Sequence, residues 1–251
     1  MAKIAIVTGA SSGMGRETAL LLAKRPEVEE IWLVARREDR LVELAAEIMV
    51  RASVRTFALD LSKEESVDTL ITELKRAKGQ VCWLVNGAGF GQIGRVDGLG
   101  AEIQLSMLDL NCRALTALTV AALPYMREGA RIMNYASAAA FLPQPGFAVY
   151  AATKSYVLSF SRALARELSK RQITVTAICP GPVKTEFFDI AERTGEIKVY
   201  KKILMAECPK VCRGAVRAAV AGKDVYVPTL TFKAFRALCR LPHGLLLRFV
   251  K

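Results

Sequence analysis

Two side chains four residues apart, Tyr150 and Lys154, form the pattern with the clearest chemical meaning in the chain. Residues at this spacing project from the same face of an α-helix. A phenol has an ordinary pKa of about 10 and is a poor base near neutrality, whereas an ammonium within about 4–6 Å favours the phenolate and lowers that pKa. The pair therefore predicts a tyrosine that passes a proton to or from a carbonyl oxygen as a general acid or base.

Two polar residues earlier in the chain give this pair a chemical context. Ser137 closes a predicted strand, from which its hydroxyl can hydrogen-bond the same substrate oxygen as Tyr150. Asn111 interrupts an apolar helical segment, which suggests a water relay to Lys154. Tyr-x-x-x-Lys by itself also fits an ordinary helix surface, and Asn111 by itself fits a partly exposed helix position. Together, the four side chains predict a catalytic set.

A glycine-rich turn near the start of the chain predicts a phosphate site. The first predicted strand runs into TGASSGMG at residues 8–15, and a helical pattern follows at once. Glycines allow a tight turn and the close approach of a pyrophosphate, while the N-terminus of the helix supplies free N–H groups and a favourable dipole. The alternative is a glycine-rich turn without a ligand. Its place after the first strand of a βαβ unit favours dinucleotide binding.

The end of the second predicted strand distinguishes between the two nicotinamide dinucleotides. Arg36 and Arg37 stand where folds selective for NAD usually place an Asp or Glu for the ribose 2′-hydroxyl. A guanidinium matches the geometry of a 2′-phosphate, and Glu38 and Asp39 come late for the ribose role. The sequence therefore predicts NADP(H) as the cofactor, the alternative being that both arginines only cap a solvated helix.

The third and fourth predicted strands end in residues that suit the rest of a dinucleotide. The third ends at Asp60 and Leu61, where the carboxylate is placed to accept a hydrogen bond from an adenine amino group. The fourth ends in the turn 86–89, with the sequence NGAG, whose backbone is able to lie along a ribose. An ordinary turn is the alternative at either position.

Short apolar runs alternate along the chain with longer helical patterns. Continuous apolar strands that alternate with amphipathic helices predict a parallel sheet covered on both faces, and right-handed crossovers then give a doubly wound α/β sheet, or Rossmann fold. Since there are no repeats or linkers, residues 1–251 are predicted to form a single domain. The predicted strands are 4–9, 30–36, 54–60, 81–89, 130–137, 173–181 and 224–228, and the predicted helices are 16–25, 40–49, 62–75, 101–126, 150–170 and 209–221.

Composition excludes several other classes of protein. The 251 residues are 52% hydrophobic and 24% charged, which fits a globular chain with a large core. A single histidine, His243, excludes a histidine-rich metal site, and the six cysteines contain no CxxC pair, so no metal is expected. Cys208 and Cys212 are four residues apart, on one face of a helix if that stretch is helical.

The first residues of the chain predict a reducing, cytoplasmic location. The chain begins Met-Ala-Lys and runs straight into an apolar strand pattern, without a secretory leader. The longest uncharged stretch, 132–153, contains Asn134, Pro143 and Pro145 and therefore does not fit a membrane-spanning helix.

The positive charge is concentrated at the end of the chain. The net charge is +12, and five of the positive residues follow Asp224, the last acidic residue. No basic stripe with a nucleic-acid reading motif is present, so no nucleic acid partner is expected. The tail 229–251 has Phe232, Phe235 and Leu238 at helical spacing among basic residues. We expect it to pack on a neighbouring subunit or close over the substrate, with contact to a membrane surface as the less favoured alternative.

Segment 186–211 is predicted to form a flap over the substrate. It follows a Pro-Gly turn and is rich in large apolar side chains, which suggests an apolar pocket of bulky shape. The alternative is that these residues only pack the flap onto the core. The residues expected around the substrate are Phe90, Phe141, Leu142, Phe147, Phe187, Phe188, Ile190, Ile197, Val199, Tyr200, Ile203, Leu204 and Met205.

Taken in order, these motifs resemble the short-chain dehydrogenase/reductase family. The resemblance covers residues 1 to about 190 and includes TGASSGMG, Asp60, NGAG, Asn111, Ser137, Tyr150-x-x-x-Lys154 and PGPVKT at 180–185. Many members carry a second Asn where Gly87 stands, a departure that we expect to affect the geometry of the turn rather than activity.

The resemblance implies roles for the matching residues. Tyr150 would be the catalytic acid or base, Ser137 would orient the substrate, Lys154 would bind the ribose and tune the phenol, and Asn111 would anchor the relay. Members commonly pair as homodimers or homotetramers through the helices that begin near Ala101 and Tyr150. The implied cofactor-binding residues are Gly9, Ser11, Ser12, Gly13, Met14, Gly15, Arg36, Arg37, Asp60, Leu61, Asn86, Ala88, Gly89, Tyr150, Lys154, Pro180, Gly181, Val183 and Thr185.

The sequence therefore predicts an NADP(H)-dependent oxidoreductase that interconverts a ketone and a secondary alcohol. The resemblance and the apolar flap suggest a bulky lipophilic substrate such as a hydroxysteroid or a bile acid, in lipid metabolism. One alternative is a 3-oxoacyl reductase that acts on a carrier-bound acyl chain. Another is an NADPH-sensing binding protein without turnover, which would not need a tuned phenol.

Overall fold

Seven parallel strands alternate with helices, as the sequence pattern predicts. The computed structural model describes residues 1–191, 205–241 and 243. The strands form one sheet in the order β3-β2-β1-β4-β5-β6-β7, with neighbouring strands parallel throughout. The predicted doubly wound α/β fold is confirmed.

The elements follow one another with short connections. The strands are β1 (Lys3–Thr8), β2 (Glu30–Ala35), β3 (Ser53–Ala58), β4 (Gln80–Asn86), β5 (Arg131–Tyr135), β6 (Thr174–Ile178) and β7 (Val225–Tyr226). The helices are α1 (Gly13–Leu22), α2 (Glu38–Ile48), α3 (Glu64–Ala77), α4 (Ala101–Leu108), α5 (Leu115–Ala122), α6 (Ala148–Glu167), α7 (Phe187–Ala191), α8 (Cys208–Val220) and α9 (Leu230–Leu238). A π-helical turn (Asp109–Ala114) joins α4 to α5, and short 3₁₀ turns cover Leu123–Tyr125, Ala138–Phe141 and Ser169–Arg171.

Burial of the central strands on both faces explains their composition. Five of the six residues of β1 and of β2 are buried, and so are six of the seven of β4. The two tryptophans, Trp32 and Trp83, are fully buried on opposite sides of the sheet, each in its own apolar cluster with the covering helices. These continuous apolar runs are typical of a parallel sheet covered on both faces.

The strand order reverses between β1 and β4, which fixes the position of the ligand crevice. From β1 the chain proceeds outward to β2 and β3, returns to β4, and then proceeds the other way. Ligands in open α/β sheets bind outside the carboxyl ends of the strands at such a point. Thr8 and Asn86 are paired there, at the last register position of the two strands.

The helix predicted over 101–126 is interrupted. The π-helical turn Asp109–Ala114 separates α4 from α5, and Asn111 lies within it. A π-bulge shifts the side-chain register of a helix and is frequent at functional sites. Strand β7 is also shorter than predicted, with two residues instead of five.

Helix α9 packs on its own chain. Phe235 lies against Phe141 with ring centroids 6.5 Å apart, and Arg236 lies over the same ring. Helix α9 is therefore placed beside the turn that follows Ser137, while the expectation of contact with a neighbouring subunit stays a prediction. Among residues 1–191, 205–241 and 243, every helix is too short or too polar to cross a membrane.

Candidate active site

A cleft of about 360 Å³ opens at the carboxyl ends of β1, β2 and β4. Its size lies within the range of small-molecule sites. Most of the residues expected to bind the cofactor line it, together with the catalytic pair. These are Gly9, Ser11, Ser12, Gly13, Met14, Gly15, Arg36, Arg37, Asp60, Leu61, Ala88, Gly89, Tyr150, Lys154 and Thr185.

The glycine-rich turn has the shape of a phosphate cradle. Gly9 has a φ of +71°, and a Cβ there would stand 2.7 Å from the carbonyl of Gly87. A Cβ on Gly15 would stand 2.2 Å from the carbonyl oxygen of Gly9. Helix α1 then begins at Gly13 without a side-chain cap from Ser12, so its first N–H groups remain for an anion in the cleft.

The second arginine after β2 is held in the cleft mouth. The Arg37 guanidinium donates to the Ser11 hydroxyl through Nε and Nη2, at 3.3 and 3.2 Å. Its Nη1 forms an ion pair with Glu186 at 2.8 Å. This holds the Arg37 guanidinium between Ser11 of the glycine-rich turn and Glu186, and Arg36 lines the same cleft. Both arginines therefore line the cleft just after β2, and their binding of a 2′-phosphate stays a prediction.

Asp60 is fixed at the edge of the cleft by its own turn. Its Oδ1 accepts hydrogen bonds from the amide and the hydroxyl of Ser62, at 3.1 and 2.8 Å. Leu61 is buried and lines the same wall. The carboxylate is thus held in one orientation at the cleft edge, and its contact with an adenine stays a prediction.

The turn 87–89 and Asn86 have different roles in the structure. The Thr8 hydroxyl accepts hydrogen bonds from two amides of the turn, each at 3.1 Å, which fixes the backbone of the cleft wall. Asn86 is buried behind that wall, where its amide group donates to Thr119 and Asn134. Its side chain therefore ties β4 to β5 and α5 and does not line the cleft.

Asn111 holds the backbone beside the catalytic pair. Its amide donates to the Phe90 carbonyl and to the Thr153 hydroxyl, at 2.9 and 3.0 Å, and its carbonyl accepts from the Phe90 amide at 3.1 Å. A Cβ on Gly89 would stand 2.9 Å from Asn111 Oδ1 and 3.3 Å from Lys154 Nζ. Asn111 and Lys154 thus flank one glycine, while the water relay between them stays a prediction.

Lys154 is a buried ammonium with a fixed partner. Only 6% of the residue is exposed, and Nζ donates to the Tyr135 carbonyl at 2.7 Å. Burial lowers the pKa of Lys154 to about 8. Its Nζ lies 5.7 Å from the centroid of the Tyr150 ring, so the two groups share one site.

The pKa of Tyr150 differs from the sequence-based expectation. Burial raises it to about 12, and the hydrogen bond with Ser137 lowers it only in part. The lowering expected from Lys154 is therefore not found, because loss of solvent around the phenol is the largest cause of the shift.

Ser137 reaches this phenol from the end of β5. It lies two residues beyond the last strand residue and caps the turn Ala138–Phe141, where its hydroxyl accepts from the Ala139 amide at 3.1 Å. The same turn is tied to the loop after β6 because the Ala138 amide donates to the Pro180 carbonyl at 2.8 Å.

Aromatic rings form the wall beside Tyr150. Phe147 stacks on it at 4.3 Å between centroids, and Phe187 lies tilted at 5.5 Å. Phe90 belongs to the same cluster and lines the cleft. Phe141, which was expected in the substrate pocket, packs instead with Leu142, Cys179 and the rings of α9. The side chains of Phe188 and Ile190 and the expected pocket residues Ile197, Val199, Tyr200, Ile203 and Leu204 lie outside the described residues.

The loop 180–185 reaches the cleft through Thr185, whereas Pro180, Gly181 and Val183, which were expected to bind the cofactor, do not line it. Gly181 lies under the Phe232 ring, where a Cβ would stand 2.0 Å from a ring carbon. Val183 forms an isolated parallel bridge with Ala206. Thr185 lies against Gly13 and lines the cleft, so it joins the loop to the phosphate cradle.

Sequence reasoning missed three residues that shape the site. These are Thr8, whose hydroxyl fixes the turn after β4, Thr153, which binds Asn111, and Glu186, which pairs with Arg37. Thr8 and Thr153 stand inside the recognised motifs, so their position was a usable signal. Nothing in the sequence marked Glu186, because its partner is distant in the chain.

Metal-binding side chains are scattered in the parts of the chain that the structure describes. Within those ranges, no group of three His, Cys, Asp or Glu residues could hold a metal ion. The six cysteines are free thiols.

The chain resembles known proteins both in sequence and in structure. The family model described as short chain dehydrogenase matches residues 3–194. Sulfoacetaldehyde reductase 2 from Chromohalobacter salexigens is 37% identical over 194 residues, which is 74% of this chain and 75% of that protein. A short-chain dehydrogenase from Sphingobium yanoikuyae in complex with NADPH has a TM-score of 0.83 at 30% identity, covering 97% of this chain and 95% of the other.

A second similar protein of known structure has a name that states the class of substrate on which it acts. The bulky-bulky ketone specific alcohol dehydrogenase from Comamonas testosteroni has a TM-score of 0.78 at 25% identity. The alignment covers 97% of this chain and 93% of that one.

The pKa of Lys154 predicts how cofactor use depends on pH. Because the folded-state pKa is about 8, the ammonium is present below that pH and is lost above it. We expect kcat/KM for NADPH, which reports groups of the free enzyme, to fall as the pH rises through about 8. Thermal unfolding over the same pH range separates this effect from unfolding. A profile that stays flat up to pH 10 would contradict the assignment.

Proposed function

The chain belongs to the short chain dehydrogenase family, an oxidoreductase family that acts on alcohol and carbonyl groups, and we propose that it reduces a bulky ketone to a secondary alcohol with NADPH. The observation that carries this proposal is that Tyr150 and Lys154 line the cleft that also holds the phosphate cradle, with the Ser137 hydroxyl hydrogen-bonded to the Tyr150 phenol.

The described residues fit an NADP(H) molecule along the whole cleft. The free N–H groups at the start of α1 suit the pyrophosphate, and the arginines after β2 suit the 2′-phosphate. Asp60 would face the adenine, while Lys154 would bind the ribose beside Tyr150. When bound, the cofactor supplies the hydride for the carbonyl carbon. The relative from Sphingobium yanoikuyae in complex with NADPH supports the same choice.

The protein's own groups handle the proton. The Ser137 and Tyr150 hydroxyls converge, so both can hydrogen-bond a ketone oxygen. As negative charge develops on that oxygen, Tyr150 donates its proton as the general acid. A phenol with a pKa of about 12 is fully protonated at neutral pH, which favours the direction of reduction. The Lys154 ammonium stabilises the phenolate that remains.

The rings around Tyr150 support a bulky apolar substrate. Phe90, Phe147 and Phe187 present aromatic surface to the reacting centre. The Comamonas testosteroni relative is named as specific for bulky-bulky ketones, which supports a bulky ketone as the substrate here. We propose first the ketone form of a hydroxysteroid or of a bile acid as the substrate.

A 3-oxoacyl group on an acidic carrier protein is the second candidate. The net charge of +12 favours it, since a basic surface attracts an acidic carrier. A cofactor sensor without turnover is disfavoured by the intact Ser137–Tyr150–Lys154 set, because sensing does not require a proton donor.

Exposed apolar side chains support a homo-oligomer. Leu105 and Leu108 on α4 and Val120 on α5 are exposed, and so is Tyr156 on α6. These elements are the ones through which the family resemblance implies pairing, and their burial in a dimer or tetramer would remove this surface from water. The cytoplasmic location stays a prediction.

Replacement of Tyr150→Phe tests the proton donor. The ring and its stacking on Phe147 remain, so NADPH should still bind, while turnover should fall about 10²- to 10⁴-fold because only the proton is removed. Tyr125→Phe is the matched control, since this tyrosine lies in the 3₁₀ turn Leu123–Tyr125 and does not line the cleft. Unchanged turnover in Tyr150→Phe would remove the assignment.

The double replacement Arg36→Ala and Arg37→Ala tests the cofactor preference. Loss of two charged donors should weaken NADPH binding about 10- to 100-fold and leave NADH almost unchanged. Arg40→Ala removes an exposed arginine from helix α2, which follows directly, and should have little effect. Equal losses for both cofactors would contradict selection by the 2′-phosphate.

A substrate panel followed by NADPH absorbance separates the candidate functions. Its arms are a steroid ketone, an oxidised bile acid, a 3-oxoacyl thioester and sulfoacetaldehyde. We expect the bulky apolar ketones to have the highest kcat/KM, and Phe147→Ala to reduce it most for them. A preference for the thioester would favour the carrier-bound substrate, and no reaction with any arm would favour the sensor.

A further inference from the structure

Two sulfur atoms that the proposed chemistry does not use lie side by side behind the cofactor cleft. Cys208 is the first residue of α8 and Cys212 follows one turn later, with their Sγ atoms 4.0 Å apart. Cys212 is fully buried, whereas Cys208 is partly exposed. One thiol is thus reachable from solvent and the second stands directly behind it.

The buried thiol is part of a polar cluster that reaches the phosphate cradle. The Cys212 thiol donates to the Met14 carbonyl at 3.6 Å and accepts from the Tyr135 hydroxyl at 3.6 Å. That hydroxyl also hydrogen-bonds Thr18 at 2.7 Å. Met14 lines the cleft, and the Tyr135 carbonyl is the partner of the Lys154 ammonium.

The exposed thiol is linked to the opposite wall of the cleft. Cys208 lies two residues after Ala206, whose amide donates to the Pro182 carbonyl at 2.9 Å and whose carbonyl accepts from the Lys184 amide at 3.0 Å. These bonds hold the loop 180–185. The two cysteines therefore connect to both walls of the site.

We propose that Cys208 and Cys212 are a redox modification site, which a small disulfide such as oxidised glutathione converts into an intramolecular disulfide that weakens cofactor binding. The disulfide itself is independent of the proposed function. Its effect on the cofactor rests on the proposed use of NADPH.

The reaction balances as two thiol–disulfide exchanges. The Cys208 thiolate attacks one sulfur of oxidised glutathione, the glutathione S–S bond breaks, and one glutathione leaves as its thiolate. The Cys212 thiolate then attacks the Cys208 sulfur and releases the second glutathione. Two protein S–H bonds are replaced by one S–S bond, and two electrons and two protons pass to glutathione.

Local electrostatics distinguish this pair from the other cysteines. The hydrogen bonds from Cys208 and then from Tyr135 lower the pKa of the Cys212 thiol, while the bond to Cys212 raises the pKa of Cys208. The two neighbouring sulfurs share one proton after the pair has lost the other. When Cys208 passes this proton to Cys212, the negative charge moves from the buried sulfur to the exposed one. Burial raises the pKa of Cys82, Cys112 and Cys179 as well. What distinguishes Cys208 is the neighbouring Cys212 sulfur, 4.0 Å away, which is able to take its proton.

Closing the disulfide requires a change in the helix. Residues four apart in a helix have Cβ atoms about 5–6 Å apart, whereas a disulfide requires about 3.5–4.5 Å. The first turn of α8 must therefore tighten, which shifts Cys212 from Met14 or Cys208 from the chain that holds the loop 180–185. Such a strained disulfide is readily reduced, as a reversible modification requires.

Mass spectrometry of the full-length protein tests the site. After incubation with oxidised glutathione, we expect the protein to lose two hydrogens without retaining glutathione. Trypsin cleaves after Lys210, so the disulfide would join peptides 203–210 and 211–213. Cys212→Ser should trap one glutathione on Cys208, and Cys208→Ser should prevent the reaction. Cys239→Ser is the control and should behave like the wild type.

Cofactor titration tests the consequence. We expect the oxidised protein to bind NADPH about fivefold more weakly, the effect of one lost hydrogen bond, with full recovery on reduction. By reciprocity, saturating NADPH should shift the dithiol–disulfide equilibrium toward the dithiol by the same factor.

Each negative result has its own meaning. Absence of the linked peptides, or a glutathione adduct that persists in the wild type, would overturn the site. A disulfide that leaves NADPH binding unchanged would overturn its coupling to the cleft. Failure of the reduced protein to bind NADPH would contradict the proposed function, while the peptide analysis would still decide whether the disulfide forms.

Discussion

Burial of a phenol and an ammonium in one cleft is the constraint on which the rest of the site depends. Loss of water raises the pKa of Tyr150 to about 12 and lowers that of Lys154 to about 8. Burial thus shifts both groups toward their uncharged forms. The phenol holds its proton more tightly than usual, and the ammonium holds its proton less tightly. The Tyr135 carbonyl keeps the ammonium in place, and Asn111 fixes the backbone opposite it. The geometry of the cleft thus sets the chemistry that the side chains are able to perform.

The sheet brings these groups together by its strand order. The reversal between β1 and β4 sets the glycine-rich turn beside the turn after β4, and β5 then delivers Tyr135 and Ser137 to the same edge. Tyr135 links two layers, because its carbonyl binds Lys154 while its hydroxyl contacts Thr18 and Cys212. The phosphate cradle, the proton donor and α8 therefore share a common support.

The features that the sequence could predict are those that depend on residues close together in the chain. The strands, the helices and the order of motifs follow from apolar periodicity and from turn residues, and both the fold and the family assignment were confirmed. Features that depend on distant contacts were not accessible. The π-helical turn at Asn111, the ion pair of Arg37 with Glu186 and the direction of the pKa shift of Tyr150 all arise from tertiary packing. The burial of Asn86 behind the cleft wall is of the same kind.

The protonation state of Tyr150 is the most direct test of this account. Carbon-13 labelling of the tyrosine ring carbon that bears the hydroxyl, with Tyr150→Phe to assign the resonance, follows this residue among the six tyrosines as the pH is raised. We expect the resonance to stay in the position of the neutral phenol up to pH 10 or above. A resonance that moves to the phenolate position below pH 8 would contradict this expectation.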